Sequence, residues 1–382
     1  MKTPRIYLDH NATTPLRPEV LGVMQRYLAE AFGNPSSLHT FGQEARAGLE
    51  EARTRLASGL GCAPGEVHFT SGGTEADNWA LLGCAAARGQ GRIVTTAIEH
   101  HAVLHSCRHL QKQGFEVCLV RPDPRGWVDP EAVEALLDDR TILVSAMHAN
   151  NETGVLQPVA QIGQLTRRRG IPFHVDAVQS FGKVPVQVDQ LGADLVAVSA
   201  HKLNGPKGVG ALYARGGTRL EPWIHGGGHE GGLRAGTENV AGIAAFGLAA
   251  QLALAEQSAH QRELGRLRDR LEVGILGALG GVQVNGQGAP RLPNTLNLSI
   301  AGVQSEALLL GLDLEGVAVS SGSACSAGGE EPSHVLLAMG LERRLAAGSL
   351  RFSLGWGNSE VEVDRVIALL PGLVRRLRAL SA

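Results

Sequence analysis

Reactive side chains stand at the ends of three apolar runs. The first is Phe69-Thr70-Ser71-Gly72-Gly73-Thr74-Glu75, where a β-rich stretch passes through two glycines into a helical pattern. The exposed amides of such a helix start, Gly73 among them, could seat a phosphate together with the Thr74 hydroxyl. Alone this is a weak signal, because glycine turns between strand and helix are common. No GxxxxGK[ST] occurs anywhere, and neither Gly205–Gly210 nor Gly226-Gly227-Gly228 matches a nucleotide fingerprint. The second run, His174-Val175-Asp176-Ala177-Val178-Gln179, ends on an acid whose burial without a partner would be costly. A lone aspartate there would by default be a cap. The third, Ser199-Ala200-His201-Lys202, ends on a lysine, a poor structural choice unless something needs its amine. A desolvated lysine is a Schiff-base nucleophile.

Taken singly, each run reads as structural. Taken together they supply a phosphate seat, a buried acid and a buried amine at successive strand ends. That combination meets the needs of pyridoxal 5'-phosphate, which wants an amine for its aldehyde, a counter-charge for its pyridinium and a seat for its phosphate. A fourth segment, Ser320-Ser321-Gly322-Ser323-Ala324-Cys325-Ser326-Ala327-Gly328-Gly329, surrounds a cysteine with small residues. An exposed thiol in such a loop is a candidate nucleophile, whereas Cys62, Cys84, Cys107 and Cys118 suit a bland core role better.

These groups need a scaffold, and the hydrophobic pattern supplies one. Short β-rich runs at Val67–Thr70, Arg92–Thr96, Glu116–Arg121, Thr141–His148, Pro172–Val178, Asp194–Ser199 and Gly210–Ala214 alternate with helical segments or loops. Alternation of this kind predicts an α/β fold with a mostly parallel sheet covered on both faces. Ligands of such sheets collect at the carboxyl ends of the strands, where the candidate residues lie. Two helices precede the sheet, with apolar positions at Val20, Val23, Met24, Tyr27, Leu28 and Ala31 and again at Ala45, Leu49, Ala52, Leu56 and Leu60. The run Val240–Ala255 reads as a buried helix, too short for a membrane span. The charged helical segment Gln251–Leu271 reads as a bridge between domains. Strand-like runs return at Asn294–Ile300, Val317–Ser320 and Leu350–Leu354. A last helix opens on the capping box Ser359/Glu362 and closes on Arg375, Arg376 and Arg378, a solvated basic face that suits the helix dipole. The expected division is a large cofactor-binding domain over 15–255 and a smaller α+β domain over 1–14 and 256–382 that carries the Cys325 loop.

Composition narrows the function classes. The chain has 382 residues, 43% hydrophobic and 19% charged, with a net charge of -2. This reads as soluble and globular, with no strong field pointing to nucleic acid or membrane. The N-terminus shows no apolar signal region. Five scattered cysteines with no CxxC pair argue against a disulfide framework or structural zinc and suit a reducing cytoplasm. His101, His105 and His109 recur every fourth residue, a spacing able to ligate zinc, but nothing completes the set, so they read as polar helix-surface histidines.

At this point a resemblance enters. The chain resembles the short-loop cysteine desulfurases, the nitrogen-fixation and iron–sulfur-cluster enzymes of the class V aminotransferase superfamily. The likeness runs nearly end to end through Tyr7-Leu8-Asp9-His10-Asn11-Ala12-Thr13-Thr14-Pro15, Thr70–Asn78, Ile98-Glu99-His100-His101-Ala102-Val103, His148-Ala149-Asn150-Asn151-Glu152-Thr153-Gly154, His174–Gln179, Ser199–Gly208, Gly226–Asn239, Ser320–Cys325 and Arg351-Phe352-Ser353-Leu354-Gly355. It implies fold type I of the pyridoxal-phosphate enzymes and an obligate homodimer. It implies that Lys202 carries the cofactor, Asp176 pairs with the pyridine nitrogen, His100 stacks on the ring and assists proton transfer, and Gln179 bonds the ring hydroxyl beside Asn151. Gly73, Thr74, Ser199 and His201 would hold the phosphate, joined by Thr237 of the other subunit. Arg351 would clamp the substrate carboxylate, with Asn151 beside it.

The implied reaction takes sulfur from L-cysteine, leaving L-alanine and a persulfide on Cys325 that passes to an acceptor such as an iron–sulfur scaffold or a tRNA thiolation protein. Departures fall near the sulfur hand-off: Gly231-Gly232 follows Glu230 where an arginine is common, and Trp356-Gly357 replaces a frequent Arg-Phe. Three alternatives remain on the residues alone: an aminotransferase of the same fold, which needs no Cys325, a selenocysteine lyase, and a cofactor-free scaffold.

Overall fold

A computed structural model describes residues 5–321 and 331–381 of the chain. Its centre is a seven-stranded sheet in the order Val67–Thr70, Gly210–Ala214, Leu195–Ser199, Phe173–Asp176, Thr141–Met147, Arg92–Thr96 and Glu116–Val120. The last five of these pair in parallel, and Gly210–Ala214 runs antiparallel to both of its neighbours. Every strand but Gly210–Ala214 therefore points the same way, so the ends at Thr70, Asp176 and Ser199 open onto one edge.

The central strands are apolar throughout because both faces are covered. Val196 and Val198 belong to one core cluster, with Ile243 and Phe246 from a covering helix, while Leu195 and Ala197 belong to a second, with Trp79 and Val103. The period of two sends alternate side chains to opposite faces. Each fully buried side chain of this size contributes roughly 1.5–3 kcal/mol. The strand positions expected from the sequence agree to within two residues at each end.

A third cluster joins Ile6 and Leu8 to Leu267, Leu271 and Ile275 and to the antiparallel sheet Ser349–Ser353, Thr295–Ile300, Val282–Val284. Ile6–Tyr7 pairs in parallel with Val317–Ala318. The buried helix and the charged bridge expected as separate readings are one helix, Val240–Ala278. Its first half packs through Ile243, Phe246 and Ala250 into the large core, and its second half packs through Leu267, Leu271 and Ile275 into the small one. This helix is long and apolar enough to cross a membrane by composition, but most of its apolar window is buried within the fold. The chain returns to the large core at Val335, Leu336, Met339 and Ala346.

The final helix, Glu360–Ser381, starts on the expected capping box: the Ser359 amide donates to Glu362 at 2.8 Å and the Glu362 amide to the Ser359 hydroxyl at 3.4 Å. Its basic end differs from the expectation of a purely solvated face. Arg378 donates to the carbonyls of Ala301 and Gly280, both at 2.9 Å, and staples the helix to the small sheet, while Arg375 and Arg376 are exposed.

Candidate active site

A cavity of about 520 Å³ opens at the carboxyl edge of the large sheet. Gly73, Thr74, His100, Asn151, Asp176, Gln179, Ser199, His201 and Lys202 all line it. Nine residues from five separate sequence segments therefore share one space.

One end of the cavity is built by Ser71, Gly72, Gly73 and Thr74 at the start of the helix Gly73–Arg88. Close packing demands glycine at two points. A Cβ on Gly73 would lie 2.6 Å from Val178 Cγ2, and one on Gly210 would lie 2.7 Å from the backbone of Gly72. Beside Gly73, Ser199 Oγ is buried with no hydrogen-bond partner among the described residues. A buried hydroxyl left unpaired is costly unless a ligand supplies its partner. Helix amides, the Thr74 hydroxyl and the Ser199 hydroxyl together fit the donor set a phosphate requires.

Asp176 is buried, and its Oδ1 accepts from the Val178 amide at 2.9 Å. Burial pushes its carboxyl up, against the pull of that amide and of Lys202. A cationic ring nitrogen beside it would supply the counter-charge that burial denies it. Beneath it lie groups that the sequence did not single out. Asp77 is raised by burial, by Asp176 and by Glu99. Glu99 is pushed up to about 8 by burial, although its Oε1 accepts from Thr96 Oγ1 at 2.7 Å and from the Met147 amide at 2.8 Å. His174 sits 2.9 Å from Ser145 Oγ and 3.4 Å from Asp77, and burial lowers it to about 3.

The amine of Lys202 donates to the carbonyls of Asn11 at 2.6 Å and Ala12 at 2.8 Å. Gln179 Nε2 donates to the same Asn11 carbonyl at 2.9 Å. A second amine lies behind it. Lys183 Nζ reaches Gln179 Oε1 at 3.0 Å and Asn11 Oδ1 at 3.3 Å, and burial, then Lys202 and Arg351, lowers it to about 7. Sequence reasoning missed both Asn11 and Lys183. The only available signal was that each falls in or beside a quoted motif.

His100 caps the helix His101–Lys112, its Nδ1 accepting from the Ala102 amide at 3.1 Å. Burial first, then Lys202 and the neighbouring histidines, lowers it to about 4. A neutral imidazole that accepts at Nδ1 carries its proton at Nε2. The rings of His101 and His105 stack at 4.9 Å, and those of His101 and His334 at 4.8 Å. Among the described residues no group of three histidine, cysteine or carboxylate side chains is arranged to hold a metal ion.

Two of the expected site residues that the structure describes stand outside the cavity lining. Arg351 is buried on the strand Ser349–Ser353, pairs with Asp9 at 2.7 Å and donates to the Asn151 carbonyl at 3.0 Å. It thus reaches the cavity wall through Asn151 rather than lining it. Thr237 is exposed, outside this cavity, on the loop before the helix Val240–Ala278. Cys325 lies outside the described residues. Its flanks are held on both sides: Ser320 exchanges two backbone bonds with Arg351, and the Ser333 hydroxyl donates to buried Glu152.

The family model described as Aminotransferase class-V matches residues 6–366. The protein "Cysteine desulfurase IscS" of Dictyoglomus turgidum is 48% identical over 378 residues, covering 98% of this chain and 96% of that one. A solved structure described as a NifS-like protein superposes with a TM-score of 0.92 at 40% identity, covering 98% of this chain and all (100%) of the other. Another, described as SspA in complex with cysteine, has a TM-score of 0.82 at 35% identity and covers 91% of this chain and 98% of its own.

Proposed function

The chain belongs to the class-V aminotransferase family, and from that premise we propose that it is a pyridoxal-phosphate-dependent cysteine desulfurase, converting L-cysteine to L-alanine with transfer of the sulfur. The observation that carries the reading is the cavity in which the unpaired Ser199 hydroxyl, buried Asp176 and Lys202 face one space. A relative named as a cysteine desulfurase over nearly the whole chain supports the substrate.

Bound in the cavity, pyridoxal 5'-phosphate supplies an aldehyde for amine exchange and a ring that withdraws electrons from the substrate. Gly73, Thr74, Ser199 and His201 would hold its phosphate, Asp176 its ring nitrogen, Gln179 its ring hydroxyl, and Lys202 its aldehyde carbon. The free Lys202 amine would be held by the Asn11 and Ala12 carbonyls, which receive its N–H groups. It then takes the proton from the substrate Cα. His100, with its proton at Nε2, is set to donate to the substrate side. Arg351, bonded to the Asn151 carbonyl behind the cavity wall, would have to turn past Asn151 to bind the substrate carboxylate. The Cys325 thiolate attacks the substrate sulfur. The new S–S bond forms as the Cβ–S bond breaks, the electron pair of that bond goes to Cβ, and protonation at Cβ and return of a proton to Cα give alanine.

The same reading extends to assembly. The exposed side chains of Phe32, Leu38 and Phe41 support a homodimer, as does the position of Thr237 on an exposed loop from which it could serve a second subunit. Two separate cores support a large cofactor-binding domain over 15–255 and a small domain over 1–14 and 256–382, although Val335, Leu336, Met339 and Ala346 of the latter range pack into the large core. A cytoplasmic setting and a sulfur-acceptor protein complete the proposal.

The test is mass analysis of the Cys325 peptide after cysteine treatment. A sulfur-sized adduct lost on reduction is expected. Cys325→Ala should keep the visible absorbance of the lysine-bound cofactor and stop sulfide release from cysteine. Undiminished turnover by this variant would sink the sulfur chemistry while leaving the cofactor reading intact.

A further inference from the structure

One charge on the wall of the phosphate seat has the wrong sign. Glu75 lines the cavity in the first turn of the helix Gly73–Arg88, beside Gly73 and Thr74. Its Oε2 accepts from the Ser71 amide at 2.7 Å, so it occupies one of the amides of the anion-binding turn. A carboxylate there benefits from the helix dipole, but it competes with an incoming phosphate for the same field.

The carboxylate is answered from far along the chain. Arg234 Nε donates to Glu75 Oε1 at 2.9 Å and its NH2 to Oε2 at 3.3 Å. The two side chains are only 20% and 10% exposed, so the pair is weakly screened. Burial raises the Glu75 carboxyl, but the bonds from Arg234 and Ser71 outweigh it and hold it below its ordinary value, hence ionised.

The segment that carries Arg234 is itself pinned. Glu230 adopts φ 48°, a left-handed conformation that a non-glycine residue takes only when its surroundings impose it. Its carboxylate receives Arg53 at 2.8 and 2.9 Å and the Phe69 amide at 2.9 Å. The Arg53 guanidinium also lies 4.8 Å above the Phe69 ring. The loop is therefore clamped to the strand that leads into the seat, one turn before Arg234 reaches the seat itself.

We propose that Arg234 is a positioning residue for the cofactor phosphate: by pairing with Glu75 it removes a negative charge from the seat and leaves Glu75 to orient the Ser71 turn. This rests on the reading of the cavity as a pyridoxal-phosphate site. It makes a demand that a merely structural ion pair would not make. Losing Arg234 should harm binding of the phosphate, and losing the Glu75 charge as well should restore it.

The experiment titrates the apoenzyme with pyridoxal phosphate and with pyridoxal, which lacks the phosphate. Inorganic phosphate serves as the competing probe. Arg234→Met should weaken pyridoxal phosphate and inorganic phosphate by about tenfold, the order expected when a weakly screened charge loses its partner, and should leave pyridoxal unchanged. The double variant Glu75→Gln/Arg234→Met should recover most of that loss, and Glu75→Gln alone should bind the phosphate at least as tightly as the parent. Equal weakening toward pyridoxal, or no recovery in the double variant, overturns the proposal. If Arg234→Met does not fold, Glu75→Gln decides, and weaker phosphate binding by it overturns the proposal. A parent chain that binds neither pyridoxal phosphate nor phosphate at all would instead remove the cofactor reading beneath it.

Discussion

Lys202 donates through Nζ to the carbonyl oxygen of Asn11 at 2.6 Å. Asn11 also receives Gln179 on that oxygen and Lys183 on its side chain, and it donates to Thr295 Oγ1 at 2.9 Å and the Asn151 carbonyl at 3.2 Å. One buried residue thus joins the Lys202 amine, the Gln179 amide and a second, buried amine, Lys183. On the proposed reading, a Lys202 displaced by substrate would be held by this fixed pair of carbonyls at no reorganisation cost.

Replacing the amine itself should separate binding from chemistry. Lys202→Ala should still take up pyridoxal phosphate on the phosphate seat but without the visible absorbance of a lysine-bound cofactor. Alanine formation from cysteine should fall by roughly 10²–10⁴-fold, the range lost with a positioned proton-transfer group. Retained turnover would move the role to Lys183.

Lys183 predicts a stability that depends on pH. Its ordinary value is 10.5 and burial, Lys202 and Arg351 lower it to about 7 in the fold. Between those values the unfolded chain holds a proton that the folded chain lacks, so stability rises with pH, by up to about 1.4 kcal/mol per unit. Denaturant melts of the apoenzyme at pH 7, 8 and 9 should show the parent gaining on Lys183→Met at each step. A constant gap would mean that Lys183 is charged throughout.

Glu99 predicts the opposite slope. Its carboxyl rises from 4.5 to about 8, chiefly through burial. Between those values the folded chain keeps a proton that the unfolded chain has lost, so this contribution is full at low pH and is lost as pH climbs toward 8. Glu99 Oε2 is buried without a partner among the described residues, so an uncharged group suits the position. Glu99→Gln should therefore be more stable than the parent above pH 5, and its advantage should widen up to pH 8. Parallel curves for the two proteins would show that Glu99 ionises normally.

The buried pair Arg53–Glu230 predicts a large, reversible loss. Glu230→Ala leaves a buried guanidinium without its partner, at a cost of about 3–5 kcal/mol, whereas Arg53→Met combined with Glu230→Met should regain much of it. Differential scanning calorimetry of the single and double variants checks this. Additive losses would show that the two residues do not act as a unit.

Much of the site was legible because its residues sit where a strand stops. Val67–Thr70, Phe173–Asp176 and Leu195–Ser199 are short apolar runs whose ends bear Thr70, Asp176 and Lys202, and a parallel sheet brings such ends together whatever the loops do. The groups around them were not legible. Asp77, Glu99, His174, Lys183 and Asn11 look like ordinary polar residues in the sequence, and only their burial against one another makes them unusual. The single helix Val240–Ala278 was likewise read as two pieces, because its apolar stripe changes partner from one core to the other.

By itself the sequence determined the family, the α/β class and the residue types at the strand ends, since these follow from local periodicity and from motifs of contiguous residues. The tertiary structure alone decided which distant groups share a dielectric. Arg234 meets Glu75, Glu230 meets Arg53 and Lys183 meets Gln179 and Asn11 only once the chain has closed. Charge and pKa are set by neighbours in space, and the amine that looked isolated at the end of one strand, Lys202, finds its acceptor in Asn11, 191 positions away.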